Sequence, residues 1–280
     1  MSDRRRSIDD KEFAVPTVGG AYTFEAREFP WWFVAMLAII TALVLAVIFS
    51  PEYREAFDNI FPIPIRATEG ILMTFYLTFG SFIVALFLGL GIGLARVSKN
   101  PWLSNVAATY IELVRGIPML VFIFLVALVL VPDFADLINQ PSRSIPQAIR
   151  GAAALSLFYA AFIAEVFRAG IQSVPREQGE AGRSMGLQER QIMRLVILPQ
   201  AVRNMLPALG NDLISLMKDT SLVSILAVRE VTQMARLYSG SSFRFRESFF
   251  ILVTIYVVLT LILSLILRWY ERRIAIPGRA

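Results

Sequence analysis

A chain of 280 residues that is 56% hydrophobic, with mean hydropathy +0.61, carries more apolar surface than one soluble core of its size can bury, which points to a membrane protein. Lysine and arginine number 27 against 22 acidic residues, a net charge of +5, so what matters is where the basic residues fall. With no cysteine and no histidine, disulfides, thiolate metal sites and the usual general base are excluded, so neither a metal site nor a catalytic residue is expected.

Crossing about 30 Å of hydrocarbon takes roughly 20 helical residues, and six windows qualify, which predicts an all-α polytopic membrane protein. A cytoplasmic arm, 1–30, leads to an additional transmembrane helix at 31–49, Trp31 to Phe49. Arg4, Arg5 and Arg6 precede that run, but it starts late and no small-x-small cleavage pattern follows it, so it is expected to be a retained anchor. An external loop, 50–69, then precedes a five-helix core at 70–270. The second span is Gly70 to Ala95, where Gly89 and Gly93 permit close helix approach. The third, about Val106 to Val131, contains Glu112 and Arg115, three apart on one helical face and expected to form a structural pair. The fourth is Ile149 to Ile171. A polar loop at about 172–205 separates it from the fifth, Leu206 to Val228, and the sixth, Phe249 to Trp269, leads to a cytoplasmic tail at 271–280.

Flanking lysines and arginines number 18 on the side of the termini and 8 on the other, which places both termini in the cytoplasm. Arg229, Arg236, Arg244 and Arg246, all in one external loop, oppose that assignment.

Ionisable side chains at membrane depth cost about 2.5–3.5 kcal/mol each and so turn toward the bundle interior or water. Glu165, about 9 Å from the cytoplasmic end, is a substrate-path candidate; its alternative role is a structural partner for Arg168. The fifth span holds Asn211, Asp212, Ser215, Lys218, Asp219, Thr220 and Ser221. Asn211, Ser215 and Lys218 share one helical face, and Asp212, Ser215 and Asp219 an adjoining one, so this helix, with Ser221 also a path candidate, either lines the translocation path at a subunit interface or is a charge-neutralised packing helix.

The cytoplasmic loop reads as two short helices. Pro175 suits a first turn, Arg176 to Ser184 are good helix formers, Gly186 breaks the run, and Leu187 to Leu198 resumes it until Pro199 ends or kinks it. Ala181 and Gly182 leave room for another protein's surface, and Glu180 offers a fixed acceptor; the plain alternative is a solvated loop.

Glu180-Ala181-Gly182, Gly186 and Leu198-Pro199 resemble the E-A-A, G, I-x-L-P loop of ATP-binding-cassette (ABC) importer permeases, with Gly182 where alanine is usual and Val196 where isoleucine is. YIELVRGIP (Tyr110 to Pro118), FIAEVFRAGIQSVP (Phe162 to Pro175), LPQAVRNMLPALGND (Leu198 to Asp212) and KDTSLVSIL (Lys218 to Leu226) extend the resemblance to the polar amino acid branch (histidine, glutamate, glutamine, arginine, opine) over about 200 residues from Gly70. The resemblance implies the type I importer permease fold in a bacterial plasma (inner) membrane. It further implies a second permease subunit, a cytosolic ATPase dimer that binds ATP and Mg, an extracytoplasmic binding protein, and a polar amino acid carried by alternating access. Glu180, Ala181, Gly182, Gly186, Leu198 and Pro199 would couple the chain to the ATPase. The chain itself is expected to bind no cofactor and no nucleic acid; it has no phosphate-binding G-x-x-x-x-G-K loop, so hydrolysis falls to the partner. The alternative from another class is an ion-coupled secondary carrier, with Glu165 or Asp219 carrying protons.

Overall fold

The computed structural model describes residues 31–60 and 69–274; the expected arm at 1–30, residues 61–68 of the external loop and residues 275–280 of the tail lie outside them. Every regular element among the described residues is helical. α1 (Trp31–Phe49) is apolar except for Thr41, and α2 (Pro51–Ile60) turns 100° from it at a proline suited to a first helical turn. α3 (Ile71–Arg96) and α7 (Gln147–Gln172) run close to their expected bounds, while α12 (Phe245–Ile274) is longer than its apolar window.

The third expected span is corrected by the structure. α4 (Pro101–Gly116), capped by the Asn100 side chain accepting from the Trp102 N–H at 3.0 Å, stops before Pro118. Proline disfavours helical geometry in the residue before it, and Ile117 is extended (φ −98°, ψ 131°). The crossing segment is Met119–Leu137, formed by α5 (Met119–Leu125), a π-helical turn (Val126–Leu130) and α6 (Val131–Leu137).

A second π-helical turn, Met193–Ile197, joins α9 (Glu189–Ile192) to α10 (Leu198–Asp219). Both π turns stand directly upstream of a proline in the next helix, Pro132 and Pro199. Proline has no N–H for the carbonyl four residues back and its ring crowds that carbonyl, so a widened turn lets the helix continue where a regular one would break. Side chains take up carbonyls within the widened turns. Arg150, 7% exposed, donates to the Ala127 carbonyl at 3.3 Å, and the Gln200 amide donates to the Val196 carbonyl at 2.9 Å. The helix expected to end or kink at Pro199 therefore runs on into α10.

Four helices among the described residues are long and apolar enough to cross a membrane, and the bent pair α1–α2 makes a fifth. α10 replaces the expected fifth span: it starts at Leu198 and passes into a 3-10 stretch, Thr220–Leu226. Its charges keep it below any simple apolarity threshold, and it packs against α3, α7 and α12.

The α3–α7 contact is the centre of the bundle. A Cβ on Gly89 would lie 2.6 Å from Ile163 Cγ2, and one on Gly93 2.9 Å from the Ala164 carbonyl, so the two glycines are what lets the backbones meet. Lipid tails are as apolar as leucine, so close packing and interhelical hydrogen bonds hold such helices together. The Ser81 hydroxyl donates to the Ala152 carbonyl (3.2 Å), Ser156 to Ser81 (3.3 Å), and Tyr110 to Leu157 (2.5 Å).

At the end of the bundle opposite the α8–α9 loop, α8 being Arg176–Ser184, lies α11 (Val231–Ser242). Glu230 caps it, accepting from the Thr232 and Gln233 N–H groups at 2.9 and 2.8 Å. α2 lies over α11 and α12, burying Ala56 and Ile60 against Val231, Ala235 and Ile251. Two of the four anomalous arginines are neutralised here: Arg229 pairs with Glu69 and Arg244 with Glu55, both at 2.7 Å.

Candidate functional site

The loop is a built helical hairpin. α8 ends in a Schellman turn: the Gly186 N–H donates to the Arg183 carbonyl (2.9 Å) and the Leu187 N–H to the Gly182 carbonyl (3.1 Å). Gly186 sits at φ +80°, left-handed geometry that glycine adopts without steric cost. Gln191 accepts from the Gln188 N–H at 2.9 Å, and Arg183 pairs with Glu189 at 2.6 Å across the hairpin.

One expectation is corrected. Gly182 is buried and faces α9, where an added Cβ would come 2.9 Å from Ile192 Cγ1; its smallness packs the two loop helices and is turned away from any outside partner. Glu180 and Ala181 are exposed, and so are Leu198 and Pro199. Met185 is 80% exposed, and Met193 and Leu195 also present apolar surface.

Above the loop, α7 and α10 line an open cavity of about 370 Å³. Arg115, from the end of α4, and Glu165, Ser173, Asn204 and Asp212 bring five polar side chains to a wall otherwise made by groups such as Phe162 and Met205. The Asn204 amide donates to the Ser173 hydroxyl at 2.8 Å. Glu165 is held by Arg168 through two hydrogen bonds, Nε–Oε2 at 2.9 Å and Nη2–Oε1, with a third of its side chain left exposed. Asp212 Oδ2 is buried with no hydrogen-bond partner.

The expected Glu112–Arg115 pair is not formed. The Arg115 guanidinium instead lies over the Phe162 ring, 5.8 Å from its centroid, where a cation is attracted to the aromatic face. Among the path candidates only Glu165 reaches the cavity. Asn211, Ser215 and Lys218 lie exposed on a different face of α10. Asp219 accepts from the Tyr159 hydroxyl at 2.6 Å, and Ser221 lies in the 3-10 stretch beyond. Spacing along one helix grouped Asp212 with Ser215 and Asp219, which do not reach the cavity, and did not bring in Arg115 or Asn204, because the cavity takes its residues from three helices; the break at Gly116–Pro118 was the available signal for Arg115.

Residues 85–276 match the family model described as "Binding-protein-dependent transport system inner membrane component". The chain belongs to this family. It is 36% identical over 225 residues to the probable amino-acid permease protein YxeN of Bacillus subtilis (strain 168), covering 80% of this chain and 97% of that protein. Against the glutamine transport system permease protein GlnP of Escherichia coli (strain K12) it is 35% identical over 209 residues, covering 74% of this chain and 92% of that one. The crystal structure of an amino acid ABC transporter with histidines superposes with TM-score 0.66 at 33% identity, covering 82% of this chain and 98% of that chain. The MetNI methionine ABC transporter in an inward-facing conformation, at 22% identity and TM-score 0.62 over 74% of this chain and 95% of that one, shares the fold. Membership in a binding-protein-dependent family sets aside the ion-coupled carrier.

Proposed function

We propose that this chain is the permease subunit of an ATP-driven importer that passes a polar amino acid from an extracytoplasmic binding protein into the cytoplasm, with both termini and the α8–α9 hairpin on the cytoplasmic side. One observation carries the proposal: the hairpin is mechanically continuous with the cavity. α7, which holds Glu165, turns at Pro175 into α8; α8 packs on α9 through Gly182 and Ile192; and α9 runs unbroken into α10, which holds Asn204 and Asp212. A pull on the hairpin moves both main walls of the cavity.

The exposed Glu180, Ala181 and Met185 form the surface on which a cytosolic ATPase docks, since an exposed apolar patch beside a fixed carboxylate marks a contact site. Gly186 fixes the angle of that surface, and Leu198 and Pro199 mark where it joins the bundle. The Arg115 guanidinium suits a substrate carboxylate, and the unpartnered Asp212 suits its ammonium group. Asn211, Ser215 and Lys218 form a polar face that lipid would not solvate; a second permease subunit covers it, with Asp219 and Ser221 at its edge. ATP and Mg are bound by the ATPase dimer, and this chain contributes no catalytic group.

The test is hydrolysis by the reconstituted complex. Loaded binding protein should stimulate it, and Glu180→Lys should abolish the stimulation while leaving the permease folded. Stimulation that survives Glu180→Lys would remove the hairpin from the coupling route.

A further inference from the structure

Outside the cavity, a cleft of about 850 Å³ opens between the end of α3 and α8. Four aliphatic side chains, Val97, Ile171, Val174 and Ile197, line it together with three arginines, Arg96, Arg176 and Arg183. Arg96 donates to the Ser104 hydroxyl at 3.0 Å, and Arg183 is paired with Glu189. Arg176 has no ion pair among the described residues. Glu180 also borders the cleft; counting both it and Glu189 against the arginines leaves the balance positive.

The depth of the cleft narrows what it can hold. Arg96 is the last residue of α3 and Gln172 the last of α7, so the cleft lies where two apolar helices leave the bilayer, at the level of lipid headgroups. A free anion needs only the arginines; aliphatic side chains lining the same cleft suit a ligand with a phosphate and a hydrocarbon chain. Basic pockets at the cytoplasmic boundary of membrane helices recognise anionic lipids in this way, with arginine's planar fork matching the phosphate oxygens.

We propose that this cleft seats an anionic phospholipid, its phosphate between Arg96 and Arg176 and an acyl chain along Val97, Ile171 and Ile197. The bound lipid ties the end of α3 to α8 and steadies the hairpin. The proposal takes the membrane orientation from the function proposed above, but its test reads binding alone, so a negative result leaves the transport assignment untouched.

The full-length protein, purified in a neutral detergent, is titrated with phosphatidylglycerol, phosphatidylcholine and inorganic phosphate, and retention is read by native mass spectrometry alongside thermal melting. Phosphatidylglycerol is expected to bind and raise the melting temperature where the other two do not. Arg176→Gln, which disturbs no ion pair, and Arg96→Gln should each weaken phosphatidylglycerol about fivefold. Arg190→Gln, exposed on α9 outside the cleft, should leave it unchanged. Equal retention of phosphatidylcholine, an equal effect of phosphate alone, or full binding by the Arg96/Arg176 double variant would overturn the assignment.

Discussion

Asp212 stands out at the residue scale because a buried carboxylate oxygen without a partner costs free energy that nothing inside the chain repays. A ligand ammonium in the cavity would repay it. Asp212→Asn is therefore expected to lower uptake about 10- to 100-fold, the usual worth of a hydrogen bond to a charged group, without lowering the melting temperature. Unchanged uptake would take the cavity off the substrate route. Gly186 makes a different demand: Gly186→Ala forces an alanine into left-handed geometry at about 1–2 kcal/mol, which should appear as faster hydrogen exchange across α8 and the turn after it. Glu230, beside the start of α3, is fully buried, and burial pushes its carboxyl up to about 7 against the hydrogen bonds from Thr232, Gln233 and Tyr256 that favour the anion. An acid whose folded pKa is raised contributes stability that is complete below its unfolded pKa, about 4.3, and is lost as pH rises through 7. The loss is on the order of 3 kcal/mol, so thermal melts should fall from pH 5 to pH 8, and Glu230→Gln should flatten that slope.

Elements were legible in proportion to how local their causes are. α3 and α7 follow from apolar length, and the α8 stop from Gly186, because each depends on residues adjacent in sequence. The third span was misplaced because hydropathy averages across Gly116-Ile117-Pro118, whereas the backbone breaks there. The π turns had no signature beyond the prolines that follow them, since the side chains supporting them include one from another helix, Arg150. α2 was expected only as loop: its Ala56 and Ile60 become a buried face only when α11 and α12 supply the other side. That packing fixes how α2 should respond to change. Ala56→Asp places a charge against Val231 and Ile251 and should cost several kcal/mol, read as a lower melting temperature. Glu55→Ala removes a half-exposed ion pair and should cost at most about 1 kcal/mol.

For the whole molecule the question is how movement of the α8–α9 hairpin would reach the cavity between α7 and α10. The cavity was only partly legible in advance, since Glu165 lies where a depth argument places it, but its companions Arg115 and Asp212 meet it only after α4, α7 and α10 have packed. The proposed route between hairpin and cavity rests on close packing at one small residue. Gly182 seats α8 on α9, and α9 is the beginning of the helix that carries Asp212. Gly182→Leu should push α8 off Ile192 while leaving Glu180 and Ala181 on the outward face, so the ATPase should still co-purify. Stimulation of hydrolysis by the loaded binding protein should then fall about fivefold or more, the lower end of usual coupling free energies. Full stimulation in a variant that still assembles would mean that motion reaches the cavity through α7 alone, by way of Pro175, and that the continuity of α9 with α10 is structural support.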